Sequence, residues 1–309
     1  MEDAEHEAPS VDVPDEGPDA MVPGEAGSPA PTAGGQCSQC GGAQNGAPNG
    51  GVEPTYVYAL GRVKPRFPSL SLEKEFSQAT ARTDTADQTD QMALSRVLND
   101  PANRYIVREM CWVLSVAEIE TYLLRPAYPE DLSRLTQAVR PSTTCSDLDL
   151  VVGMRGPVAP PDLCGGLSLP IVAFTQLYSF DVASLVQEVA AAGQTEGGRN
   201  VASSADELLC RILELADNAG ATDEHRALNY LAVRYPDIYH KTAELHGQEC
   251  SLAGVEVVPS RLSGARNIVT VVFAYRNRRT DVEQKWSCRV DVTEQFPFLV
   301  TKLREYYDR

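Results

Sequence analysis

The sequence contains no long apolar run. Its longest stretches of that kind, such as residues 167–177, fall well short of the roughly 20 residues a membrane-spanning helix needs, so no membrane span is expected. The first residues are acidic and have no apolar h-region, so no secretory signal peptide is expected either. Clustered Lys/Arg is also missing, which argues against a nucleic-acid partner, because phosphate contacts need concentrated positive charge. Histidine is scarce, with only four in 309 residues. There is no G-x-S-x-G nucleophile elbow, no H-E-x-x-H pair, no P-loop and no G-x-G-x-x-G turn. No catalytic residue can be named from motifs. These absences, with eight cysteines read as mainly reduced or metal-bound, suggest a cytoplasmic protein.

The chain does carry acid. The formal net charge is −16, unevenly spread. Residues 1–54 hold ten Asp/Glu and no Lys/Arg, leaving 33 acids against 27 bases, a net of −6, for the rest. That first segment is rich in Pro, Gly and Ala and has almost no large apolar side chains. It cannot bury enough surface to offset the entropy of ordering, so a disordered tail is expected over 1–54. Inside it lies Cys37-Ser38-Gln39-Cys40, flanked by glycines. Two thiolates at C-x-x-C spacing can grip one zinc ion, so this is half of a tetrahedral site, or else two reduced thiols in a mobile tail. Cys164 lies before Gly165-Gly166 in a loop rich in Pro and Gly, and is the candidate third ligand; an ion shared between two chains of a homodimer is the other completion.

Residues 55–309, with apolar residues at 43% over the whole chain, can build a real core. The pattern predicts an α+β fold, mainly antiparallel sheet with several helices. A strand is expected over 55–63, broken at Gly61, then helices over 72–79 and 91–98. A hairpin is expected from 105–116 and 120–124, and a helix over 130–139 opened by Pro129. Strands follow at 148–154 and 169–178, and a helix at 182–191. Three helices are expected between 203 and 247. The first is an apolar stripe ending at Asn218-Ala219-Gly220, the second starts at Thr222 as N-cap and stops at Pro236, and the third runs over 237–246. Strands at 252–261, 267–277 and 282–292 form a three-stranded meander, with Val269, Val271 and Phe273 on one face. A short helix over 296–306 closes the chain. Cys111, Cys210 and Cys288 fall within apolar stripes and are expected as plain core residues.

Two constellations are open. His225 stands beside Asp223 and Glu224 at a helix start, where it can serve as a general base near Arg261 or simply make local hydrogen bonds. His240 and His246 are six apart and do not share a helix face. Arg62, Arg66, Arg226, Arg234, Arg261 and Arg266 lie near loops or helix starts, where they can receive a peptide carboxylate or pair with the chain's own acids. The candidate binding set is His225, Arg226, Arg234 and Arg261.

Several blocks resemble one family. They include Tyr56-Val57-Tyr58-Ala59-Leu60-Gly61-Arg62-Val63, then Arg155-Gly156-Pro157-Val158-Ala159-Pro160-Pro161, and a long stretch through Asn218-Ala219-Gly220-Ala221-Thr222-Asp223-Glu224-His225-Arg226. Pro259-Ser260-Arg261-Leu262-Ser263-Gly264 and Phe296-Pro297-Phe298-Leu299 continue the pattern. Over residues 55–309 the chain resembles the C-terminal domain of PatG, the cyanobactin maturation protease, which is related to the domain that ends PatA. In that family the domain follows a subtilisin-like protease and has no assigned activity. The Asp, His and Ser blocks of that protease are not found before Tyr56, so proteolysis and macrocyclisation are not carried over. The resemblance implies a non-catalytic accessory module in ribosomal peptide maturation, binding a precursor peptide or a modifying enzyme. An uncharacterised enzyme using His225, and a zinc-stabilised scaffold, are the alternatives.

Overall fold

The computed structural model describes residues 55–83, 88–142, 147–181, 184, 207–209, 211–213, 218–261 and 264–307. The expected tail with Cys37 and Cys40, and the expected helix over 182–191, lie outside them apart from the helical Ser184.

Five strands close into a barrel: β1 (Tyr56–Arg66), β2 (Cys111–Val116), β3 (Ile119–Pro126), β4 (Asp147–Val158) and β5 (Pro170–Asp181). The order around the barrel is β1-β2-β3-β5-β4, and every pairing is antiparallel except β3 with β5. With a helix between β3 and β4, this is the arrangement of an OB-type barrel. Helices α1 (Leu70–Arg82), α2 (Asp90–Asn99) and α3 (Arg104–Glu109) connect β1 to β2, and α4 (Leu132–Ala138) connects β3 to β4. After the barrel come α5 (Asp223–Arg234) and α6 (Asp237–Gly247). A sheet of β6 (Cys250–Pro259), β7 (Ile268–Asn277), β8 (Glu283–Asp291) and β9 (Phe298–Glu305) follows in sequential antiparallel order.

Alternation along the strands explains how one barrel feeds two cores. On β1, Val57 and Ala59 point inward to join Trp112, Leu114, Val151 and Phe174 with the faces of α1–α4. Tyr58 and Leu60 point outward with Leu150 and Val152. There they meet Leu228 and Leu231 of α5 and the inner face of the second sheet, Val271, Phe273, Cys288 and Val290. Over Val57–Leu60 each face of β1 is covered, so that apolar run carries no polar stripe, whereas beyond Gly61 the alternate residues Arg62, Lys64 and Arg66 form one.

Gly61 does not break β1. The strand runs through it while changing partner, pairing β4 as far as Gly61 and β2 from Arg62 onward. Glycine is needed because a Cβ there would lie 2.4 Å from the Ser115 carbonyl oxygen. At the change of partner the buried Asp149 carboxylate accepts the Val63 N–H at 2.7 Å and faces the Ser179 hydroxyl. Burial pushes the Asp149 carboxyl above the usual carboxylate range, and these donors and Arg140 partly offset it.

Three expectations need correction. Residues 105–109 belong to α3, and the hairpin begins at Cys111: Trp112 donates its indole N–H to the Val107 carbonyl, so the apolar run folds back on itself. The closing segment is strand β9, not a helix; Leu299 and Leu303 pack on the second core while Phe298, Val300 and Lys302 are exposed, an alternation with a period of two. The meander therefore has four strands. Finally, Cys164 is not free to hold a metal, because it is disulfide-bonded to Cys111, with Cα atoms 6.0 Å apart. Cys111 is accordingly more than a core residue, while Cys250 and Cys288 are buried free thiols. The bond ties the β4–β5 connection over the outer side of β2 and β3. Ala159, Leu163, Leu167 and Leu169 there cover Val113 and Leu123. OB barrels often receive ligands on that face; here the chain itself occupies it.

Candidate functional site

The longest block of family resemblance proves to be a latch. Thr222 caps α5, its hydroxyl accepting the His225 N–H at 3.2 Å. Just before it, Gly220 takes a left-handed φ of +70° and offers its carbonyl to the Tyr58 N–H at 2.9 Å. Asn229, fully buried on α5, donates to the Tyr58 carbonyl at 2.8 Å and exchanges hydrogen bonds with the Asn218 side chain. Tyr122 donates its hydroxyl to the Ala219 carbonyl. Gly220 and Asn229 thus fasten α5 to β1, and Tyr122 ties the turn before α5 to β3.

Arg226 belongs to the same structural group. It is 3% exposed and donates to the backbone carbonyls of Val292 (2.6 Å) and Glu294, fixing the β8–β9 connection. Its guanidinium lies 5.3 Å from the Tyr56 ring centroid and 3.5 Å from the Asp223 carboxylate. Burial is the main effect on both ions: it pushes the Asp223 carboxyl up and the Arg226 guanidinium down, and their mutual attraction opposes each shift. Asp223 is thus drawn toward Arg226. Replacing Arg226→Met leaves two carbonyls without their charged donor. The expected result is a loss of about 2–3 kcal/mol in urea unfolding; an unchanged unfolding midpoint would show that these bonds do not hold the β8–β9 connection.

The other arginines sort by partner. Arg62 and Arg66 pair with Glu118 and Glu120, and Arg266 pairs with Asp291. Arg261 is exposed at the turn after β6. Arg234 ends α5 and has no carboxylate partner among the described residues; its guanidinium instead stands 5.6 Å from the Tyr178 ring centroid.

Arg234 overlooks a cleft of about 270 Å³ between the outer wall of the barrel, α5 and the β8–β9 connection. Tyr58, Leu150 and Val152 form its floor. Tyr178 and Tyr230 wall it, with Gln176, and Arg234, Phe296 and Pro297 make the rim. Tyr58 and Tyr230 meet edge to face at 6.3 Å. Burial pushes the Tyr58 phenol up to about 12, with Arg234 nearby partly opposing the shift, so the hydroxyl keeps its proton at neutral pH. The Tyr178 hydroxyl donates to Gln176 Oε1 at 2.8 Å.

Of the four expected binding residues, this cleft takes Arg234 alone. His225 and Arg226 sit at the opposite end of α5, and Arg261 follows β6. No three His, Cys, Asp or Glu side chains gather into a metal site among the described residues. The tyrosines were missed by motif reading. Their signal was tyrosine at outward positions of otherwise aliphatic strands, as in Tyr56-Val57-Tyr58.

The fold defines a class: an α+β protein in which a five-stranded barrel and a four-stranded antiparallel sheet sandwich a helical layer. Residues 195–306 match the family described as PatG C-terminal. A solved structure described as "PatG Domain of Unknown Function" is similar over 81% of this chain and 98% of its own length, with a TM-score of 0.67 and 20% identity, a likeness of fold. No curated protein matches the chain. No helix among the described residues is long and apolar enough to cross a membrane.

Proposed function

We propose that this protein is a non-catalytic docking module in ribosomal peptide maturation, and that its partner is an extended peptide rather than a modifying enzyme. One observation carries the reading: the Arg234 cleft opens at Phe296 and Pro297, where the chain enters β9, the last strand of its sheet. β9 pairs with β8 on one side only among the described residues, and an edge strand of this kind can accept an added strand through its backbone. Phe298, Val300, Lys302 and Arg304 are exposed at alternate positions, the first two apolar and the last two basic, with the exposed Glu305 ending the strand. A peptide laid along β9 therefore gains backbone hydrogen bonds, contact with Phe298 and Val300, and a cleft at one end. The name of the matched family, PatG C-terminal, supports a place in peptide maturation.

The test is fluorescence anisotropy of a labelled ribosomal precursor peptide encoded beside this protein, titrated with the full chain. Saturable binding with a Kd of about micromolar order, lost with a scrambled peptide, is the expected result. Failure of every neighbouring precursor to bind would remove the docking reading.

A further inference from the structure

We propose that the cleft at Arg234 is a carboxylate subsite, which receives the free C-terminus of a chain whose last side chain is apolar or aromatic. This rests on the docking reading and adds the chemistry of the ligand to it.

Charge gives the first argument. The chain is strongly acidic at −16, and arginines at Arg62, Arg66, Arg226 and Arg266 are matched by carboxylates. Arg234 is exposed and unmatched among the described residues, and none of the residues lining its cleft is acidic. A cation kept clear of the protein's own carboxylates is available to one from outside. The second argument is geometry. The Arg234 guanidinium lies over the Tyr178 ring and hydrogen-bonds the Tyr58 hydroxyl, and its remaining N–H donors can make a charge-assisted contact with a carboxylate. Because Tyr178 donates to Gln176 Oε1, the Gln176 amide nitrogen keeps its two donors for a ligand. The buried Tyr58 hydroxyl accepts from Arg234 and so holds the guanidinium at the cleft. The cleft thus presents donors beside the exposed rings of Tyr178 and Phe296, which suits an anion on an apolar body.

Size and position set the source. About 270 Å³ holds one side chain and its terminal group, not a folded partner. Since the cleft adjoins the start of β9, a chain ending there runs antiparallel to β9, from Glu305 toward Phe298. A small aromatic acid has the same chemistry without the strand, so the experiment must separate the two.

The probe is a fluorescein-labelled octapeptide ending in phenylalanine, as free acid and as C-terminal amide, with N-acetylphenylalanine as competitor. The free acid should bind the full chain at least about tenfold more tightly than the amide, the size expected for one charge-assisted contact. Arg234→Gln should erase that difference without moving the melting temperature, and Arg234→Lys should restore only part of it. N-acetylphenylalanine should compete only at far higher concentration. Equal binding of acid and amide would overturn the carboxylate subsite and leave docking standing. If neither octapeptide binds while a precursor does, the cleft is not a C-terminus site; if the precursor fails as well, the docking reading falls with it. Competition by N-acetylphenylalanine at the octapeptide's own concentration would overturn the peptide end as the source.

Discussion

Gly220→Ala should be among the most damaging single-methyl additions in this protein. The glycine has φ +70°, a conformation that costs an L-residue about 1–2 kcal/mol. An added Cβ would also lie 2.5 Å from the Tyr58 carbonyl oxygen and 2.6 Å from the Ala59 Cα. Both atoms belong to barrel backbone in β1, which is paired to β4 and cannot retreat cheaply. Moving the loop instead breaks the Tyr58 N–H bond to the Gly220 carbonyl and loosens the Asn218–Asn229 pair behind it. Strain and clash together should cost at least about 3 kcal/mol, or roughly 10 °C in melting temperature for a domain this size. Two controls isolate the cause. Gly166 has φ +95° with nothing within 4 Å of the added Cβ, so Gly166→Ala should show the strain alone. Gly254 has open space and no positive φ, so Gly254→Ala should be near neutral. Equal melting temperatures for the Gly220 and Gly254 variants would refute the latch.

The latch shows what the sequence made legible. Thr222 as N-cap, Pro236 as the stop of α5 and Asn218-Ala219-Gly220 as a turn were readable, because capping and left-handed backbone depend on nearby residues alone. That Gly220 and Asn229 reach back to Tyr58 was not readable, since the partner lies 171 positions from Asn229. The same limit explains the misreading of residues 296–306. The spacing of Leu299 and Leu303 fits a helix and a strand alike until the second sheet supplies a surface for β9. Gly61 looked like a break because the period of β1 falters there; the strand instead continues with a new neighbour. The cleft was half legible. Arg234 was among the candidate arginines, but its distinction from Arg226 is a matter of which acids the fold brings near, and no local pattern encodes that.

Cysteine pairing is the other distant relation, and it leads to a prediction as large as the first. Cys111 and Cys164 are 53 positions apart, so their bond closes a long loop of the unfolded chain. Removing that closure frees the unfolded state by about 4 kcal/mol on the loop-entropy account. The folded state loses something too, because the connection carrying Ala159, Leu163 and Leu167 is then held over Val113 and Leu123 by apolar contact alone. Cys164→Ser, or reduction of the unaltered protein, should therefore lower stability by about 2–4 kcal/mol in urea unfolding. Cys111→Ser should cost the same, and the double variant no more than either single one, since each change removes one shared bond. Additive losses would mean two independent packed thiols and no bond between them. Cys288→Ser, at a buried thiol whose pKa burial has pushed up to about 12, should destabilise by a different route and should respond to reductant as the unaltered protein does. Reductant that leaves the unaltered protein's unfolding midpoint in place would place the covering of β2 and β3 on packing alone.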